Sequence, residues 1–246
     1  MKKMWLAAGM LILAAVVVLV ASEAGAFERL CKPYEFCVWD AADMPVPYTV
    51  DLASLAAYPI QPMNPATYEP FDVLEVIQRA FQEWASVPEA YVRFRYAGPN
   101  VAFDLANPKP LIRVFFTPDN ATERYFAMQN ARGAFVYVAI RIGTHGGTLT
   151  WSKSRFYKTM LHEIGHALGL DHPRQYPRIG GPVMGYGFVP DGVWAELHPD
   201  DIEGIHYLYP APRGNRSQLR ASGPEVDMWP PSGSVSNQGQ DFVVAI

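Results

Sequence analysis

An α+β fold is what this sequence predicts, and three observations predict it. Ala134 to Ile142 (AFVYVAIRI) alternates with period two, Val136, Val138, Ile140 and Ile142 facing one way and Phe135, Tyr137 and Arg141 the other, which is a strand pattern. Leu74, Ile77, Phe81 and Trp84 recur at helical spacing and form an apolar stripe that belongs in a core. In HEIGHALGLDH, His162 and His166 are four residues apart and stack on one face if that stretch is helical as well. With 246 residues, 50% of them hydrophobic and 18% charged, the chain can bury one globular core and carry extensions. A net charge of −4 and the lack of any basic run give no reason to expect a nucleic-acid partner.

Residues 1–26 read as a signal peptide. Lys2 and Lys3 form a positive start, Met4 to Ala21 is apolar, and Ala24-Gly25-Ala26 fits a cleavage site before Phe27. The competing reading is a retained membrane anchor, since 18 apolar residues just span a bilayer. Either way the rest is exported, to the cell envelope or beyond, with no stable membrane association if the signal is cleaved. Residues 27–45 then hold Cys31 and Cys37, whose export favours a small disulfide loop.

Val46 to Val50 alternates as a first strand, and a loop rich in Pro and Tyr runs from Tyr58 to Pro70. Asp72, with Glu75 three residues on, opens the helix bearing the Leu74–Trp84 stripe. Further strands are expected at Tyr91 to Tyr96, Leu111 to Thr117 and Thr148 to Trp151, after which Ser152 or Ser154 caps the helix of the histidine motif. Asp200 and Asp201 open a last helix, where carboxylates complement its dipole. From Ala211 to Ile246 the composition turns to Pro, Ser, Gly, Arg and Asn without periodicity, and a flexible tail is expected there.

The chemistry sits in HEIGHALGLDH. Gly169 lets the helix stop in a left-handed conformation, so His172 can return to the ion gripped by His162 and His166. Three neutral imidazoles suit one Zn2+ and leave a coordination position for water, whose pKa falls to about 7. Glu163, beside the first histidine, stands where a general base is needed. Chance assembly of this pattern in a chain of this length is on the order of 1 in 100,000.

HEIGHALGLDH resembles the metzincin zinc signature, and its GLDH ending is similar to that of the matrixins, the matrix metalloproteinase family. AFQEWASV (Ala80 to Val87) resembles the end of the first matrixin helix, and LHPDDIEGIHYLYP (Leu197 to Pro210) the closing helix of the catalytic domain. The resemblance covers roughly Pro45 to Pro210. It implies a zincin-like catalytic domain over 46–210: a twisted mixed sheet with long helices, and a cleft between a larger upper and a smaller lower subdomain. It implies a zinc endopeptidase acting on peptides or proteins, expected to be a monomer, with Met184 in a Met-turn under the zinc. It also implies that Asp200 and Asp201 tie the last helix to the Met-turn or the N-terminus. Substrate is expected to lie extended along Ala134 to Ile142 as an added strand at a free sheet edge, with its main pocket walled by Val183 to Trp194.

Several features depart from the family pattern. The pro-segment pattern around a latency cysteine is absent, so Cys31 is read as a disulfide partner before it is read as a zinc switch. Before the zinc helix only His145 could serve a structural zinc, so none is expected, and calcium is without support. These departures suggest a compact microbial relative. Met184-Gly185-Tyr186 matches the Met-x-Tyr of astacins and serralysins, which leaves Tyr186 either as a zinc-reaching phenol or as pocket lining. His198 and His206, outside the motif, are read as helix surface. Two other functions stay open at this level: a zinc hydrolase of a non-peptide substrate, and a non-catalytic zinc-binding module, which would have no use for Glu163.

Overall fold

The computed structural model describes residues 27–30, 37–62, 70–120, 122–144, 150–174, 181–185, 187, 190 and 192–211. The expected signal segment at 1–26, Cys31, His145, Tyr186 and the expected tail beyond Ala211 lie outside these. Among the described residues no helix is long and apolar enough to cross a membrane. In chain order the elements are β1 (Glu28–Arg29), β2 (Val46–Val50), α1 (Leu52–Ala57), β3 (Gln61–Pro62), α2 (Val73–Ala85), β4 (Phe94–Pro99), β5 (Leu111–Thr117), β6 (Glu123–Gln129), β7 (Phe135–Gly143), β8 (Thr150–Trp151), α3 (Lys153–Ala167), β9 (Leu170–Asp171) and α4 (Pro199–Leu208).

The main sheet has five strands in the order β4-β2-β5-β7-β6. The first four run parallel, with Tyr48 beside Ile112 and Val114 beside Ile140, and β6 closes the sheet antiparallel to β7. The sheet is thus mixed, and the fold is α+β as expected. Parallel strands are covered on both faces. On one face Val46, Val50, Val114 and Ile140 meet α2 and α3 through Ile77, Phe81, Trp84, Phe156 and Ile164. On the other, Leu111, Tyr137 and Ala139 pack with Phe103, whose ring stacks on Tyr137 at 4.2 Å.

The helix caps follow the sequence closely. Asp72 accepts from the amides of Leu74 (2.8 Å) and Glu75 (3.1 Å), and Ser152 accepts from Arg155 at 3.2 Å. The Trp84 indole donates to Leu161 O at 2.9 Å, locking α2 onto α3.

Two expectations are corrected. The strand Ala134 to Ile142, observed as β7, is interior and has no free edge; β6 lies outside it. The segment ERYFAMQ carries charges and lacks β-branched residues, so nothing marked it as a strand. Its partner is found through the turn Asn130 to Ala134, closed by Asn130 N to Ala134 O at 2.9 Å and Gly133 N to Asn130 O at 2.9 Å. Secondly, α1 forms where no element was assigned, because the Asp51 carboxylate accepts from Ser54 N at 2.9 Å and caps it.

Candidate metal centre

The three histidines of the motif meet. His162, His166 and His172 bring their Nε2 atoms to 3.1 Å from one another in every pair. His162 and His166 share a face of α3, and His172 arrives after the chain has turned back. That turn depends on Gly169, whose φ is +99° and whose added Cβ would overlap the Cys37 carbonyl oxygen.

Buried side chains finish the end of α3. The Trp39 indole donates to Ala167 O at 2.9 Å and the Tyr209 hydroxyl to Leu168 O at 2.8 Å, satisfying carbonyls that a helix end leaves without partners. Just beyond, β9 pairs antiparallel with β1, with Glu28 beside Asp171 and Arg29 beside Leu170. His172 is therefore carried by a strand held from the N-terminal side of the domain.

The opposite ring nitrogens decide what the Nε2 atoms can do. His162 Nδ1 lies 2.7 Å from Val183 O, and His166 Nδ1 lies 2.8 Å from Leu170 O. A carbonyl only accepts, so each Nδ1 carries the proton and each Nε2 presents a lone pair. Lone pairs so aimed at one another repel unless a cation stands among them. Ligands of a tetrahedral zinc with bonds of 2.0–2.1 Å lie about 3.3 Å apart, so the spacing fits zinc well. Burial, reinforced by His166, pushes the pKa of His162 down to about 3, against the hydrogen bond to Val183. Burial lowers that of His172 as well, against Asp171. Both are neutral at physiological pH, the ligand state.

Glu163 follows His162 on the helix and is buried, 5% exposed. Met184 is 3% exposed, and a Cβ on Gly165 would overlap its Sδ, so the methionine lies against the helix between His162 and His166. The turn Pro182–Gly185 is closed by Gly185 N to Pro182 O at 2.9 Å. Asp201 on α4 accepts from Val183 N (2.9 Å), Met184 N (3.2 Å) and His198 N (2.9 Å). The expected tie between last helix and Met-turn is thus built by Asp201, while Asp200 takes a hydrogen bond from the Phe27 backbone. His198 is not surface decoration: it is the N-cap of α4, its Nδ1 accepting from Asp200 N at 3.3 Å.

The far end of the expected pocket wall is fastened to the helices. Gly192 N donates to Ser154 Oγ at 2.9 Å. The Arg79 guanidinium of α2 lies 4.0 Å from the Trp194 ring centre, with Tyr157 edge-on at 4.9 Å. Sequence reading missed Arg79 here and saw Ser154 only as a candidate helix cap, since their partners Trp194 and Gly192 are remote in the chain.

Among curated relatives, macrophage metalloelastase from Oryctolagus cuniculus is 32% identical over 165 residues, 63% of this chain and 32% of that one. Matrix metalloproteinase-19 is 43% identical in Mus musculus over 68 residues (27% of this chain, 11% of that) and 28% identical in Homo sapiens over 148 residues (59% and 27%). The chain thus spans about a third or less of these relatives' length. Among solved structures, high choriolytic enzyme 1, a hatching enzyme zinc-protease from Oryzias latipes, is similar with a TM-score of 0.42 and 14% identity, covering 75% of this chain and 100% of that one. The matrixin family model matches residues 53–210, well over half of the 246 residues, and the chain belongs to the matrixin family.

Proposed function

We propose that this chain is an exported zinc endopeptidase that hydrolyses peptide bonds. The observation carrying the reading is the convergence of three imidazole Nε2 atoms at 3.1 Å from one another, with a buried carboxylate next in sequence to the first of them. His162, His166 and His172 would hold the zinc. Zinc, when bound, supplies a Lewis acid and brings the pKa of a water to about 7. Glu163 takes a proton from the attacking water and returns it to the leaving amine. Met184 and Gly165 fix the floor of the centre, and Gly169 the return of His172.

Substrate is proposed to lie extended, pairing by backbone hydrogen bonds with the outer side of β6, the terminal strand of the sheet among the described residues. Side-chain choice then falls to the wall from Val183 to Trp194. Export rests on residues 1–26, and a Cys31–Cys37 disulfide suits that compartment; Cys37 is buried and none of the described cysteines is free.

The test is cleavage of a mixed peptide library by the purified protein, with and without chelator, followed by sequencing of the products. Internal cuts that vanish on chelation and return with zinc are expected. No cuts, or cuts indifferent to chelation, would contradict the proposal. Tyr186→Phe separates the two roles left to that residue: an oxyanion donor, worth about 3 to 4 kcal/mol, lowers kcat strongly and KM little, whereas pocket lining leaves kcat unaltered.

A further inference from the structure

Two N-terminal segments of unequal firmness hold the turn that leads to His172. Residues 37–39 are stitched in from several sides. Val38 O accepts from Phe135 N at 2.8 Å, the Trp39 indole donates to Ala167 O at 2.9 Å, and Trp39 N donates to the Tyr209 hydroxyl at 3.2 Å. Cys37 is buried, its Sγ accepts from Gln129 Nε2 at 2.8 Å, and its carbonyl oxygen occupies the place that a Cβ on Gly169 would need. Residues 27–30 are held more lightly. Leu30 N donates to Gly169 O at 3.0 Å, Glu28 and Arg29 lie beside Asp171 and Leu170, and Glu28 meets the exposed Arg174 at 2.7 Å. A two-residue strand and a surface ion pair are weak fastenings by themselves. Yet this lighter segment is the one paired with β9, next to the third ligand.

Cys37 opens the firm segment, and it is not a free thiol. Cys31, the chain's other cysteine, directly follows Leu30 at the end of the light one. We propose that the Cys31–Cys37 disulfide makes zinc affinity depend on redox state: it tethers β1 beside β9, and its reduction lets β1 leave and loosens His172. The inference rests on the zinc-endopeptidase reading and on that disulfide. Reduction by two small thiols breaks the S–S bond, leaves one proton on each cysteine sulfur and joins the two thiols as a disulfide. Closing so short a loop raises the local concentration of residues 27–30 at β9; once it opens, only the fraction with β1 docked offers three prepared ligands. A thiol-rich interior would therefore keep the chain weak for zinc, and an oxidising exterior would tighten it. The cysteines act from behind the third ligand, without a sulfur on the metal.

The test measures zinc affinity by competition with a chromogenic chelator on three forms: the air-oxidised protein, the same protein reduced by a water-soluble phosphine, and the double variant Cys31→Ser/Cys37→Ser. The phosphine leaves as its oxide, water supplying the oxygen and both protons, and it adds no thiol that could bind zinc. Alkylation counts the thiols, none before reduction and two after. The reduced protein and the double variant should both bind zinc about 10- to 100-fold more weakly, the range expected of a short disulfide loop. Saturating zinc should bring their peptide cleavage back to within about twofold of the oxidised form. Hydrogen exchange at Leu30 N should quicken while Phe135 N stays protected, a split that a general loss of stability would not produce. Two free thiols in the air-oxidised protein, or equal zinc affinity in all three forms, overturn the inference. So does a reduced chain that unfolds throughout, since the bond would then staple the whole fold and not β1. If the bond resists the phosphine, the double variant decides. Equal affinity with zinc-dependent cleavage intact sinks this inference alone, whereas an oxidised protein that binds no zinc sinks the endopeptidase reading with it.

Discussion

Two glycines of the zinc motif are required for different reasons, and the difference is measurable. At Gly165 an added Cβ meets the Met184 side chain, which can shift at the cost of overpacking, typically 1–3 kcal/mol. At Gly169 the obstacle is the backbone oxygen of Cys37, and φ is +99°, so neither neighbour nor conformation can yield cheaply. Gly169→Ala should therefore lose more stability than Gly165→Ala in denaturant titration, and zinc affinity should fall with it, because His172 depends on that turn. Equal losses would mean that the turn tolerates rearrangement. At this scale the meeting of the histidines was legible: His162 and His166 share a face because a helix converts sequence spacing into geometry, and the turn at Gly169 lets His172 come back to them. The bond from Lys158 Nζ on α3 to Gly185 O was not, because its partners lie 27 positions apart.

Between elements, the centre is held through a relay of backbone groups. Asp201 on α4 fixes the amides of Val183 and Met184, and Val183 O in turn orients His162 through its Nδ1. Carboxylate and ring never touch, yet the second depends on the first. Asp201→Asn replaces one acceptor oxygen by a donor facing buried N–H groups, which should cost about 1–3 kcal/mol of stability. Through His162 it should also weaken zinc binding by about 10- to 100-fold, as loss of a partner behind a ligand commonly does. Competition for zinc with a chromogenic chelator checks this; unchanged affinity would reduce Asp201 to a helix cap. Helices and caps were legible because Asp72 and Ser152 act on amides two or three residues away. The edge of the sheet was not. Strand order is a property of pairings between remote segments, and β6 shows no alternation that could place it outside β7.

Across the molecule, the ligand set is assembled by contacts that are distant in sequence. β1 borders β9, Leu30 N donates to Gly169 O at 3.0 Å, and Trp39 and Tyr209 close the end of α3 from both ends of the domain. His172 is thus placed by the whole fold, whereas His162 and His166 are placed by one helix. Composition and motif disclosed an α+β domain with a metal centre; they could not disclose which segments support it. The central claim is that this assembly holds a zinc ion for a reaction in which Glu163 moves the proton. Its most direct test is Glu163→Gln, with zinc content and peptide cleavage measured on the same preparation. Parent and variant should each hold one zinc per chain, while turnover in the variant falls by about 100- to 10,000-fold. A variant that keeps its zinc and cleaves as fast as the parent would contradict the account.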